Sequence, residues 1–471
     1  MTKTSAIFLF LNYCLGKKVD MSMVVAKIDW RQLYTFASRQ ALLGFCFDGI
    51  ERLTKEFSEE LKQNPMGRDL LMTWMGAAQQ IRRQNVKVNA VASKLFSMLR
   101  ENGMRCCVLK GQGNALMYPN PYSRTPGDID VWIDASRERI MEYAQKKFEL
   151  GDDIRLQHQE TSLDGVPVEL HFFPCSMNNP IYHARLQKWF RRNADLQCSH
   201  IVRLPDEAGD IAIPTTAFNV VYQLTHLYHH FFDEGIGMRQ IIDYYVVMND
   251  FWKVKESFSQ PSRPSLPKEG STAFPKPLSP QGTGDVTAPS RCSEPLRSKD
   301  GGASKPSPDC AGWDRRGVSW DTSSVSCSSA SGSSITSVRS ASTTDSSVST
   351  ALVVVQRELK YLGLWKFAGA VMYVLKEVLG LSEDKMIVPM DEKLGKLLLA
   401  EILEGGNFGR HFTKYGGFTH QSMGKKFFLK IWRNMHFVRY YPAEALSEPI
   451  FRTWHFFWRL KHRRQSFGVF S

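Results

Sequence analysis

The strongest constraint on how this chain can fold is a change of composition that begins near Glu256 and lasts to about Thr350. Its first half is rich in Pro, Ser and Gly, as in Gln260-Pro261-Ser262-Arg263-Pro264, and its second half is a Ser/Thr tract from Ser319 to Thr350. Such a stretch buries too little apolar surface to offset the entropy of ordering it. The expectation is therefore a disordered insertion over 256–350 that divides the chain into two folded parts. A helical region over 1–64 and a mixed domain over 65–255 precede it, and a helical C-terminal domain over 351–471 follows. No internal repeat of solenoid period is visible.

The two sides of the insertion differ in their periodicity. Apolar residues recur at helical spacing from Asp29 to about Leu53 and from Gly67 to Glu101, where Val88, Val91, Ala92, Leu95 and Leu99 share a face. Asn102-Gly103 stops the second helix. The period then changes: Cys106–Leu109 reads as a short buried strand, Gly111–Met117 as a brief helix and Asp128–Ile133 as a second strand. Ser136 caps a helix reaching about Phe148. Strands at Gln157–Leu163 and Val166–Phe173 are joined by Asp164-Gly165, a type I′ hairpin signal. Helices over 215–232 and 238–252 follow. Past the insertion every segment is helical: Val353–Gly380, Glu392–Leu403, Lys425–Tyr441 and Glu448–Arg464. The fold class is α+β, a small mixed β-sheet core with many flanking helices and a helical C-terminal domain.

Sixty Lys and Arg against 47 Asp and Glu give a net charge of +13. That favours polyanionic neighbours: nucleotides, nucleic acid or an anionic membrane surface. Nine cysteines form no CxxC pair and no zinc framework, so a reduced cytoplasm is the expected setting. The apolar run Ala6–Leu11 is short, follows a single Lys3 and lacks a small-x-small cleavage site, unlike an export signal. No stretch approaches the roughly 20 apolar residues of a membrane span.

The chemistry concentrates between Val108 and Asp134. Strand alternation puts Asp128 and Asp130 on one face and Ile129, Val131 and Ile133 on the other. Two carboxylates then stand beside an apolar layer, which suits a hard divalent cation held by anionic oxygens on a rigid element. In the strand Val166–His171 the same alternation sends Glu169 and His171 one way. If the two strands are neighbours, Glu169 is a third acid. Three acids suit Mg2+ or Mn2+ in a two-metal arrangement that handles an NTP triphosphate. The strand ending at Lys110-Gly111 offers a cation and backbone N–H groups to phosphate oxygens, and Arg124 adds a second cation.

The run Leu109-Lys110-Gly111, Ala115, Tyr118-Pro119, Pro121, Arg124, Asp128-Ile129-Asp130 and Glu169-Leu170-His171 resembles the polymerase-beta-type nucleotidyltransferase superfamily. More closely, it is similar to the bacterial proteins grouped as uncharacterised nucleotidyltransferases. On that resemblance Gly111 takes the place of the phosphate-turn glycine, Asp128 and Asp130 that of the metal-binding pair, and Glu169 that of the third carboxylate. One departure is plain: Gln112, not serine, follows the glycine. The likeness extends through His226–Asp243 and into Glu401–Arg410. It implies transfer of a nucleoside monophosphate from an NTP to a hydroxyl or phosphate acceptor, with Asp128, Asp130 and Glu169 catalytic and metal-binding, and Lys110, Gly111, Arg124 and Arg239 holding the nucleotide.

Two further constellations stand out. His226 and His230 are one helical turn apart, and Arg239 precedes Asp243 by four, an order that suggests a buried orienting pair or a phosphate contact rather than a surface pair. In the C-terminal helices Lys426, Lys430 and Arg433 lie opposite Phe428, Ile431, Trp432 and Met435, with Arg452, Arg459, Lys461, Arg463 and Arg464 among Trp454, Phe457 and Trp458. The simplest reading is an aromatic stripe facing the core with a solvated basic back. Weak contact with nucleic acid or an anionic membrane is the competing one. As alternatives to catalysis stand a regulator that kept the fold and lost turnover, and an interaction protein working through these basic helices.

Overall fold

A computed structural model of the chain describes residues 3–259, 344–412 and 423–467. The N-terminal part is built of α1 (Lys3–Cys14), α2 (Ser22–Val25), α3 (Trp30–Arg39), α4 (Leu43–Glu56), α5 (Ser58–Gln63) and the 34-residue α6 (Arg68–Glu101). The single helix expected over 29–53 is two helices. Ala41 between them takes a positive φ of 56°, and Gln40 spends its amide on other elements, donating to the Ile402 carbonyl at 3.0 Å and accepting from the Met238 N–H at 2.7 Å. The apolar start of the chain is core, since Phe10, Leu11 and Tyr13 of α1 are fully buried.

The sheet is mixed. Strands β1 (Arg105–Leu109), β2 (Ile129–Asp134), β3 (Leu150–Ile154), β4 (His158–Leu163) and β5 (Val166–His171) lie in the order β1-β2-β5-β4-β3, with β2 and β5 parallel and every other pair antiparallel. Asp164 and Gly165 both take positive φ, 50° and 72°, as a type I′ turn requires, and that turn sets Leu163 opposite Val166 and His158 opposite His171. A five-residue α7 (Gly111–Ala115) follows β1, and α8 (Arg137–Lys147) follows β2, its first turn capped by the Ser136 hydroxyl accepting from the Arg139 N–H. Strand β3, α9 (Pro180–Ser199) and the hairpin β6 (Ile201–Arg203)–β7 (Asp210–Ala212) lie where the sequence pattern gives no clear period.

Each face of the sheet meets a different layer. Cys106, Val108, Ile129, Val131, Ile133, Val166, Val168 and Leu170 pack against α6 and α8 in one apolar cluster. On the opposite face Cys107, Leu109 and Trp132 join a larger core with α9 and α10 (Thr216–Asp233), where the Trp132, Trp189 and Phe218 rings stack nearly parallel. Helices α11 (Met238–Ser259), α12 (Thr344–Tyr361), α13 (Trp365–Leu379), α14 (Glu392–Gly405), α15 (Met423–Met435) and α16 (Pro442–Phe467) complete the chain. The larger core continues from Ala6 to Ala445, so residues from both sides of the insertion share it. Most of the expected insertion lies outside the described residues; α11 runs to Ser259 and α12 begins at Thr344, inside its expected bounds. The helix expected over 353–380 divides into α12 and α13 at Gly363 (φ 73°), where a Cβ would meet the Tyr182 ring at 2.6 Å.

The reading of α15 is corrected. Its aromatic stripe faces outward, with Phe428, Trp432 and Met435 exposed, while Arg433 and Asn434 are each 1% exposed. The reason is the C-terminus of α10, whose last carbonyls have no partner within their own helix. Arg433 donates to the Phe231 carbonyl at 2.6 Å and Asn434 to that of Phe232 at 2.9 Å. Lys430 and Arg452 reach Asp233 at 3.0 and 2.9 Å. The polar face of α15 thus caps α10. The side chains of Lys426, Arg463 and Arg464 lie outside the described residues. Among the described residues no helix is long and apolar enough to cross a membrane.

Candidate functional site

The alternation expected of the two strands holds, and the parallel pairing of β2 with β5 puts Asp130 directly beside Glu169. Their apolar neighbours point into the α6–α8 layer, so both carboxylates leave the sheet on the other face. Asp128, just ahead of β2, closes the group: one oxygen of each of the three acids lies within 4.8 Å of the others. The group opens into a cleft of about 1090 Å³. Lys110, Arg155, Arg239 and His226 form part of its lining, and so do Phe408, Arg410 and Lys430 from beyond the insertion.

Crowding of like charges sets the electrostatics. Asp130, burial and Glu169 together push the Asp128 carboxyl up to about 6, with Lys110 pulling the other way. Burial would raise Asp130 too, but Lys110 and His171 outweigh it and hold that carboxyl well below the usual range. The Lys110 ammonium sits 3.0 Å from Asp130 and 2.7 Å from His226 Nε2. Burial works against its charge, yet Asp130, Asp128 and Glu169 keep its pKa above the ordinary lysine value. The ammonium donates a hydrogen bond to His226 Nε2, which suits a neutral imidazole: burial and the Lys110 charge hold His226 well below its ordinary value.

Lys110 has φ 54°, a conformation that costs a non-glycine residue about 1–3 kcal/mol and is tolerated where the surroundings over-determine it. The turn bends its side chain back over the acids. Gly111 follows at φ 42°. The residue after it, Gln112, turns inward to Asn89 and Asn85, and Gly113 is small for packing, since a Cβ there would stand 2.9 Å from Ile213.

His171, on the same face of β5 as Glu169, is buried and paired. It is 1% exposed, and its Nε2 lies 3.0 Å from Asp130 and 3.1 Å from Glu169. Burial opposes its charge, but the two acids push its pKa up to about 9. His158, across the hairpin, is buried as well, and burial with the His171 charge pushes its pKa down to about 3. Its Nδ1 is 3.2 Å from the same Glu169 oxygen, off hydrogen-bonding geometry.

The two arginines part company. Arg124 lies outside the cleft, in a buried two-pronged pair with Asp243 at 2.7 and 2.8 Å, and Tyr118 donates to the same carboxylate at 2.7 Å. Asp243 therefore pairs with Arg124, not with Arg239 as the spacing of four suggested. Arg239 lines the cleft, donates to the Thr125 carbonyl at 3.0 Å, and lies 5.5 Å from the centre of the Phe408 ring. Its buried Nε has no hydrogen-bond partner. His226 and His230 face the cleft together, Nε2 to Nε2 at 2.9 Å. Sequence reasoning missed His158, although the Asp164-Gly165 turn alone places it opposite His171. The resemblance reached Glu401–Arg410 without singling out Phe408 or Arg410 as cleft residues, and the ion pair of Lys430 with Asp233 has no local pattern.

The donor set fits a hard divalent cation: three carboxylates crowded enough to hold one proton more firmly than an isolated aspartate would. Residues 26–257 match the model of a family described as uncharacterised nucleotidyltransferase. The match covers just under half of the chain and contains every candidate site residue up to Asp243, but not the cleft wall contributed by 407–411. Among solved structures the chain is similar to an antigenic nucleotidyltransferase-like protein from Paracoccidioides brasiliensis, at 16% identity over 34% of this chain and 75% of that one, with a TM-score of 0.25. No curated protein matches it.

Proposed function

We propose that the chain transfers a nucleoside monophosphate from an NTP to a hydroxyl or phosphate acceptor, in a reaction that depends on Mg2+ or Mn2+ and releases pyrophosphate. The observation that carries this reading is the cross-strand pairing of Asp130 with Glu169 beside Asp128, at the floor of a cleft with cationic walls. Asp128, Asp130 and Glu169 would hold the ion, which when bound supplies Lewis acidity to phosphoryl oxygens. Glu169 would also accept the proton of an acceptor hydroxyl. Lys110, already oriented by Asp130 and His226, would steady phosphate oxygens from one side, the backbone at Gly111 from below, and Arg239 from the opposite wall. Arg124 would act through position alone, by fixing the chain that leads into Asp128. On this reading the catalytic domain spans 65–255 and the helical C-terminal domain 351–471, the latter lending residues 407–411 and Lys430 to the cleft wall. A cytoplasmic setting suits the six cysteines among the described residues, all free and buried.

The test is Mg2+-dependent NTP binding by thermal shift and calorimetry, with pyrophosphate release, on the intact protein and on Asp128→Ala/Asp130→Ala. The expected result is a metal-dependent stabilisation lost in a double variant that remains folded. No nucleotide response in either protein would overturn the proposal. Nucleotide binding without pyrophosphate release, over a broad set of acceptors, would favour the regulator, a reading that the inward-turned Gln112 supports. A second reading draws on the exposed apolar residues of the last two helices, Phe428 and Trp432 on α15 and Ile450, Trp454 and Phe457 on α16, with Arg459 and Lys461 also on α16, which suits weak contact with an anionic membrane or nucleic acid. Binding to anionic vesicles or oligonucleotides that falls steeply with salt and ignores Asp128 would favour it.

A further inference from the structure

His158 is the residue the nucleotidyl-transfer reading leaves without a task. It is 7% exposed, and neither ring nitrogen makes a hydrogen bond. Buried polar atoms left this way are rare in native structures and call for an explanation. Its Nδ1 lies 3.2 Å from Glu169 Oε2, and His171 Nε2 lies 3.1 Å from the same oxygen. The three side chains come from one hairpin, since β4–β5 register sets His158 opposite His171 and Glu169 lies two residues earlier on the same face. One donor atom from each lies within 4.8 Å of the other two.

We propose that His158, Glu169 and His171 form a second metal site, for a zinc-type divalent transition ion, next to the three-acid group and sharing Glu169 with it. Two imidazoles and a carboxylate are a donor set that suits Zn2+ or Co2+, whereas Mg2+ prefers oxygen throughout. Both spacings to Glu169 agree: ligands held about 2.0–2.1 Å from one ion stand roughly 3.0–3.4 Å apart, depending on the angle between them, and Glu169 Oε2 lies 3.2 Å from His158 Nδ1 and 3.1 Å from His171 Nε2. Asp130, 3.0 Å from His171 Nε2, borders the same point. An ion there takes the place of the His171 proton between Asp130 and Glu169, gives the stranded His158 nitrogen a partner, and fixes the orientation of Glu169. The rival nitrogen donors are His226 and His230, whose Nε2 atoms meet 2.9 Å apart without a carboxylate between them. The proposal does not depend on nucleotidyl transfer.

The test uses the full chain, stripped of metal with a chelator and titrated with Co2+, read by its visible ligand-field absorption. The expected result is a cobalt band of nitrogen-ligated character that saturates with the protein, weakens at least about tenfold in affinity in His158→Ala, and persists in His226→Gln and Asp128→Asn. Zinc-edge X-ray absorption of the Zn2+-loaded wild-type protein should count two imidazoles, which decides the matter even if His158→Ala fails to fold. Absence of the band, unchanged cobalt affinity in folded His158→Ala, loss of the band in His226→Gln, or fewer than two imidazoles on zinc would each overturn the assignment. Asp128→Asn separates the two proposals: loss of the nucleotide response with the cobalt band intact means that the sites are distinct, and absence of any nucleotide response leaves the cobalt result standing.

Discussion

Arg124 and Asp128 are four residues apart in the chain and end in clusters of opposite kind. Arg124 meets one carboxylate, Asp243, in a closed pair that Tyr118 completes, with both partners at most 7% exposed. Asp128 joins two other acids at the floor of an open cleft, where Lys110 and His171 compensate them only in part. The first cluster holds its charges for the fold's sake. The second crowds three carboxylates where a ligand or ion from solvent can reach them.

The largest effect should come from the closed cluster. Arg124→Met leaves the Asp243 carboxylate buried without its cation, which typically costs about 3–5 kcal/mol, and urea unfolding should register that loss. A variant as stable as the parent would place Arg124 among the ligand-binding groups and dissolve the contrast.

Next comes the open cluster. Asp128→Asn should match or exceed the parent in stability at pH 7.5 while abolishing the Mg2+-dependent nucleotide shift. The sign follows from the raised pKa. The folded protein holds the Asp128 proton more tightly than the unfolded chain does, so this group penalises folding only once ionised. The penalty grows as pH rises from the ordinary aspartate range to about 6 and is complete above that. Mg2+ affinity should climb through the same window, as proton and metal compete for one carboxyl. Titrations of the parent and of Asp128→Asn at pH 5 and pH 7.5 would check both slopes.

The smallest effect belongs to the outer face of α15. Trp432→Ser should change stability by no more than about 0.5 kcal/mol in the same unfolding assay, although tryptophan is the largest side chain there.

What the sequence disclosed follows from how local each signal is. Alternation along β2 and β5 needs only six residues, and the Asp164-Gly165 turn dictates its own register, so the three acids were readable. The pairing of β2 with β5 joins segments some forty residues apart and could be stated only as a condition. Helix α15 misled because amphipathicity reports two faces without saying which one the neighbours need. Here the carbonyls of α10 claimed the polar face. Arg124 and Arg239 were treated alike because nothing in their local pattern shows that Asp243, more than a hundred residues from the first and four from the second, binds the distant one.

The shared core carries a consequence for the chain as a polymer. Val355, Phe367 and Tyr441 pack among side chains of the first 252 residues, and Phe408 and Arg410 face Arg239 and the acids across the cleft. A polypeptide severed between Pro261 and Ser342 would yield two fragments, each with an open apolar surface shaped for the other. Produced together, they should reassemble by complementation and rebuild the cleft; produced singly, neither would own its complete wall.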